Sequence, residues 1–123
     1  MAKDDLGAFS VAQLVDEFIA LGIKQYKVVW DGDTKTYNPL FFRMQDIRAE
    51  LKSRPGDERR ALKVLYDHPN IQVRLMAARS TLALAPVEAR RIIESIAASN
   101  DFPYAGDAGM CLTMLDRGAF VPK

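Results

Sequence analysis

The sequence predicts an all-α protein, folded as three antiparallel helix pairs in a row with no β-sheet. Apolar residues recur at helical spacing in six separate windows. Capping and breaking residues fall between those windows. No window sustains the two-residue alternation of a half-buried strand.

The first helix opens at Ser10-Val11-Ala12-Gln13, a capping box in which Ser10 and Gln13 satisfy each other's backbone amides. The stripe Ile19, Ile23, Tyr26, Trp30 carries the helix to Val29 or Trp30, where Asp31-Gly32-Asp33 stops it. The second helix is expected at Asn38-Pro39, a cap followed by proline at the first helical position, with Leu40, Met44, Ile47 and Leu51 facing inward. Pro55-Gly56 ends it. A third helix over about 57–67 is capped by Asp57 and turns Ala61, Leu62, Leu65 and Tyr66 inward, before the break at His68-Pro69.

The fourth helix, from the cap Asn70 to about Leu84, bears two apolar stripes: Ile71, Leu75, Ala78, Leu82 and Val73, Ala77, Thr81, Leu84. A helix apolar on two sides is sandwiched between neighbours. Pro86 opens the fifth helix, with Ile92, Ile93 and Ile96 buried. The sixth, about 104–117, buries Tyr104, Ala108, Cys111 and Leu115 and closes at Gly118. Short connections favour antiparallel neighbours, hence three hairpins in one domain spanning 1–123. Residues 1–9 and 119–123 are expected to be loosely ordered tails.

Composition narrows the function. The length suits one domain with a core large enough to need no staple. A single cysteine, Cys111, forms no internal disulfide. No apolar run approaches the ~20 residues of a membrane span, and the N-terminus carries acids where a signal peptide needs bases, so a cytoplasmic protein is expected. The net charge of +1 advertises neither nucleic acid nor membrane. Charge is uneven, however: residues 1–42 sum to −2, residues 43–91 to +5 and residues 92–123 to −2. The central segment carries Arg59, Arg60, Lys63, Arg79, Arg90 and Arg91, which predicts a basic band and a partner with an acidic surface.

The segment His68-Pro69-Asn70-Ile71-Gln72-Val73-Arg74-Leu75-Met76-Ala77-Ala78 resembles the HEAT-repeat signature: a hairpin break, then Val-Arg, then small alanines for close helix contact. The chain from about Ser10 to Gly118 also resembles a family of short bacterial proteins of unknown function with a HEAT-like fold. That likeness rests on Asp31-Gly32-Asp33-Thr34 with Tyr37-Asn38, the His68–Ala78 segment, and Phe102-Pro103-Tyr104-Ala105-Gly106-Asp107-Ala108-Gly109. The resemblance implies an α-α superhelix of three HEAT-like pairs and carries no activity with it.

No catalytic constellation is legible. A nucleophile needs a base in reach and a third group to orient it. Cys111 lies on an apolar stripe and His68, the sole histidine, lies in a hairpin. One Cys and one His do not make a zinc site. Asp31-Gly32-Asp33 lacks the ligand number and distal Glu of a calcium loop. The glycines form no phosphate-cradling pattern. No cofactor is expected. A nucleic-acid reading needs aromatics beside a basic channel, yet Trp30 and Tyr37 fall in the acidic first third.

The expected function is therefore a cytosolic protein-binding scaffold or adaptor, of the size that also serves to neutralise toxins. Solenoids work through the second helix of each pair. On the fourth helix the two stripes leave one direction open, occupied by Gln72, Met76, Arg79 and Ala83. The faint internal offset of 31 residues extends it to Asp107, Met110 and Met114. Methionines make an adaptable, polarizable contact surface, or alternatively fill gaps in the core. Arg74 falls between the buried stripes and is expected to be structural, tied to a carboxylate or to helix-end carbonyls. Trp30, Phe41 and Phe42 are candidates for self-association.

Overall fold

A computed structural model describes residues 3–123 and contains, among them, five α-helices, two 3-10 segments and no strand. The helices are α1 (Val11–Trp30), α2 (Thr34–Ser53), α3 (Ile71–Thr81), α4 (Pro86–Ala97) and α5 (Tyr104–Asp116). The 3-10 segments are Lys3–Ala8 and Glu58–Asp67. The chain falls into two compact units, one ending at Ala61 and the other running from Leu62 to Lys123. Each is built from its own helices.

In the first unit, α1 starts as the capping box requires: Gln13 N–H donates to Ser10 Oγ at 3.1 Å and Ser10 N–H to Gln13 Oε1 at 2.8 Å. It ends where Gly32, at φ +72°, reverses the chain. There Asp33 N–H reaches the Val28 carbonyl at 2.9 Å and Gly32 N–H the Val29 carbonyl at 3.1 Å, a Schellman closure.

Asp33 also begins the next helix. Its carboxylate accepts from Thr36 N–H at 3.1 Å, so α2 starts at Thr34 rather than at the expected Asn38-Pro39. Pro39 is thus an interior helix residue, at the sixth position. The Asp33 cap nucleates the turn earlier, and the proline removes one amide donor without stopping the helix.

The two helices pack antiparallel through Leu14, Phe18, Leu21 and Gln25 of α1 and Met44, Ile47 and Leu51 of α2, all buried. The buried face of α1 is therefore not the expected Ile19–Ile23–Tyr26–Trp30 stripe, which lies largely exposed. Both sets have helical period, and the wider aromatic stripe is the one left outside.

Residues 3–9 are not a loose tail. Leu6 is buried, and Arg54 Nη2 donates to the carbonyls of Leu6 and Phe9 at 3.1 and 2.7 Å while its Nε donates to Glu50 Oε2 at 2.8 Å. The α2 C-terminus thereby holds residues 6–9, while residues 1 and 2 of the expected tail lie outside the described residues.

The expected third α-helix is instead the 3-10 segment Glu58–Asp67. Asp57 does accept from the Arg59 amide, at 3.3 Å, but it sits at φ +57° and its carboxylate also takes the Arg59 side chain through Nε at 2.9 Å and Nη2 at 2.6 Å. A cap occupied by a guanidinium leaves the following amides short of partners for an α-helical start.

In the second unit α3 carries the cap Asn70, whose Oδ1 accepts from Gln72 and Val73 N–H at 2.9 and 3.2 Å. Nearly every α3 side chain is buried, as two opposed stripes require. The helix ends at Thr81, three residues before the expected Leu84. Thr81 Oγ1 donates to the Ala77 carbonyl at 2.9 Å, which leaves its own oxygen to accept from Tyr66 Oη at 2.5 Å.

Pro86 opens α4 at its first turn, and Ala89, Ile93 and Ile96 are buried while Ile92 is only half-buried. On α5, Tyr104, Ala108 and Cys111 are buried and Leu115 is half-buried. Gly118, at φ +72°, closes α5 through Ala119 N–H to the Met114 carbonyl at 2.9 Å and Gly118 N–H to Leu115 at 3.1 Å. The remaining tail, 119–123, is largely exposed. No helix is long and apolar enough to cross a membrane among the described residues.

Candidate interaction surface on α3 and α5

Asp107, Met110, Cys111 and Met114 occupy one side of α5 because residues three and four apart share a helix face. That side meets the C-terminal half of α3, since α3 and α5 are in contact within this unit. Arg79 projects there from α3 and is half-buried. Its guanidinium lies close enough to the Cys111 thiol and to Asp107 to favour the ionised form of each. Asp107 keeps solvent access, yet the protein mass around it raises its carboxyl above the usual range, with Arg79 opposing that rise. Burial likewise pushes the Cys111 thiol up, against the pull of Arg79 and Arg90. A thiol so placed stays protonated at neutral pH and is a poor nucleophile.

Two methionines lie next to this polar cluster on α5. Met110 is 61% exposed and Met114 38%. They are surface residues, not fillers of the core. The expected strip divides at this point. Ala83 is exposed and Arg79, Asp107, Met110 and Met114 are accessible, whereas Gln72 and Met76 are buried at 1% and 3%. A helix with two apolar stripes has too little circumference left for a third, solvated one over its first turns, so only the end of α3 emerges.

Arg74 is half-buried, and its Nη1 donates to the carbonyls of His68 and Pro69 at 2.9 and 3.2 Å. Those carbonyls belong to the turn before α3. His68 Nδ1 accepts from Asn70 N–H at 3.0 Å, so the histidine, the arginine and the cap together hold one turn. The position of Arg74 between two apolar stripes does not by itself distinguish carbonyls from a carboxylate as its partner.

The basic band expected from the central segment is dispersed. Arg59 is 2% exposed and folded onto Asp57. Lys63 pairs with Glu88 at 3.0 Å. Arg90 makes a fork to Asp116, 2.9 and 3.2 Å, and a third contact to Glu94 at 3.2 Å. That fork ties α4 to the end of α5 and was missed because the partners are 26 residues apart. Of the six cations, Arg60 and Arg91 are the fully exposed ones.

Trp30 and Phe42 are exposed at 69% and 64%. Phe41 is half-buried, stacked on Tyr37 at 6.2 Å between ring centroids and edge-on to Phe42 at 5.8 Å. Among the described residues no cluster of three or more His, Cys, Asp or Glu side chains could hold a metal ion.

A family model described as a domain of unknown function, DUF2019, matches residues 12–116. A solved structure, that of the protein RPA1889 from Rhodopseudomonas palustris CGA009, is 47% identical and superposes with a TM-score of 0.91 over 96% of this chain and 98% of that one. No functionally curated protein matches. With its match covering all five α-helices almost completely, the chain belongs to the DUF2019 family of domains of unknown function.

Proposed function

We propose that this protein is a small protein-binding scaffold, a stack of HEAT-like helix pairs that engages a partner protein through the side of α5 bearing Met110 and Met114. The observation that carries the reading is the exposure of these two methionines beside the Arg79–Asp107 cluster. Flexible thioethers give an adaptable apolar contact, and a neighbouring cation and carboxylate fix orientation without demanding one rigid partner shape. The turn held by His68, Asn70 and Arg74 supports the HEAT-like part of the reading. With Arg59 buried and Lys63 and Arg90 paired, a broad acidic partner surface is no longer called for. A local acid opposite Arg79 and a base opposite Asp107 suffice.

Capture from a lysate of the source organism, with the full chain as bait, tests this reading. The variant Met110→Ser/Met114→Ser should lose the proteins that the wild-type chain retains. Equal retention by both baits would rule the α5 surface out.

A further inference from the structure

The face of α1 that the fold leaves uncovered is itself a helix-packing surface. Val15, Ile19, Ile23, Tyr26 and Trp30 lie along one side of this 20-residue helix, which is about 30 Å long, Val15 and Ile19 half-buried and the other three exposed. No charge interrupts them. The acid and base nearest the stripe, Asp16 and Lys27, stand along one edge of it, and Glu17 and Lys24 lie round the far side. Glu17 pairs with Arg43 of α2 at 3.8 Å, so the stripe points away from α2. Ile23, Tyr26 and Trp30 are 46%, 37% and 69% exposed. Such a face on a helix whose opposite side is already buried is unusual for a chain that works alone.

We infer that this face pairs with the same face of a second copy of the chain, the two α1 helices running antiparallel about a two-fold axis between Gly22 and Ile23. The register follows from size. About that centre Val15 meets Trp30 of the second copy, Ile19 meets Tyr26, and the two Ile23 side chains meet at the axis. Each aromatic side chain is set against a smaller aliphatic one.

The charges agree with the antiparallel sense. In an antiparallel pair, like edges of the two helices lie side by side. Asp16 therefore comes beside Lys27 of the second copy, and the symmetry makes two such pairs. A parallel arrangement loses both. The apolar area available is roughly 400 Å² per copy, about half the ~800 Å² per partner of a standard interface. The dimer is accordingly a reversible one, dissociating in the micromolar range. This inference concerns α1 and stands apart from the α5 surface.

Sedimentation of the full chain over a range from about 1 to about 200 μM tests it. The average mass should rise from one chain to two. Trp30 is the sole tryptophan, so its emission should move to the blue over the same range. Ile23→Glu alters an exposed position and should keep its helical circular dichroism, but raise the dissociation constant at least ~100-fold by placing a charge at the centre of the pair. Asp16→Lys and Lys27→Asp should each weaken the dimer, and the double exchange should restore it. In an Ile23→Cys/Cys111→Ala chain, mild oxidation should give a covalent dimer. A single-chain mass at every concentration would overturn the inference. So would an Ile23→Glu dimer as tight as the wild type, or a double exchange weaker than either single one.

Discussion

Asp33, the last of the three residues between α1 and α2, accepts the Thr36 amide and so caps the second helix with its carboxylate while its own amide closes the first. One residue thus sets the geometry of a hairpin. The hydroxyl and the amide of Thr36 hold the Asp33 carboxyl below the usual range. A depressed carboxyl contributes stability above its unfolded pKa, near ~3.9, and loses it as pH falls through the lower folded value.

Asp33→Ala should therefore lower Tm at neutral pH, and Asp33→Asn should largely preserve it, since asparagine caps equally well. Below the carboxylate range the Asp33→Ala penalty should shrink. Thermal denaturation followed by circular dichroism at pH 7 and pH 3 checks this. A penalty unchanged between the two would contradict the cap.

Asp107 should behave in the opposite sense. Its raised carboxyl means the native state takes up a proton before the unfolded state does, so acidification stabilises at this site from the folded pKa downward and saturates below the unfolded value. Asp107→Asn is expected to leave Tm at pH 7 unchanged or higher, and to flatten the pH dependence between 7 and 4. A clear loss of stability at pH 7 would show that pairing with Arg79 outweighs the crowding.

Arg74→Ala should cost about 1–3 kcal/mol, because the His68 and Pro69 carbonyls lose a charged donor in a partly buried turn. Urea denaturation measures it. Arg74→Lys should recover only part of the loss, since one ammonium cannot reproduce the guanidinium's fixed geometry. Full stability in Arg74→Ala would free this residue from its structural role.

Tyr66→Phe removes the hydroxyl that donates to Thr81 and should cost about 0.5–1.5 kcal/mol. Thr81→Val should cost a similar amount. Because both mutations remove the same bond, the double variant should be less damaged than the two single losses together. Strict additivity would mean that the pair does not interact.

The all-helical class was legible because caps and breakers are local: Ser10 with Gln13, Asn70, Pro86 and Gly118 all act within a turn of their own position. Choices between equivalent local patterns were not legible. The Ile19–Trp30 stripe and the Leu14–Gln25 set both fit α1, and only packing against α2 decides which one is buried. The start of α2 was misplaced because Asn38-Pro39 and Asp33 are both good signals and the earlier one wins. The Asp57–Arg59 fork, which turned an expected α-helix into a 3-10 segment, depends on side-chain geometry that spacing does not reveal. On the strip, Met110 and Met114, reached through the 31-residue offset with surface and core both open, are exposed, whereas Met76, reached by helical counting, is buried, because nothing in the sequence says how closely α3 is surrounded.

Amide hydrogen exchange of the full chain, alone and with a protein captured by it, tests the scaffold reading most directly. Protection should concentrate on 104–116 and on the α3 C-terminus around Arg79, and the Met110→Ser/Met114→Ser variant should show none of it. Protection confined to α1, or spread evenly over the chain, would contradict a partner site on α5.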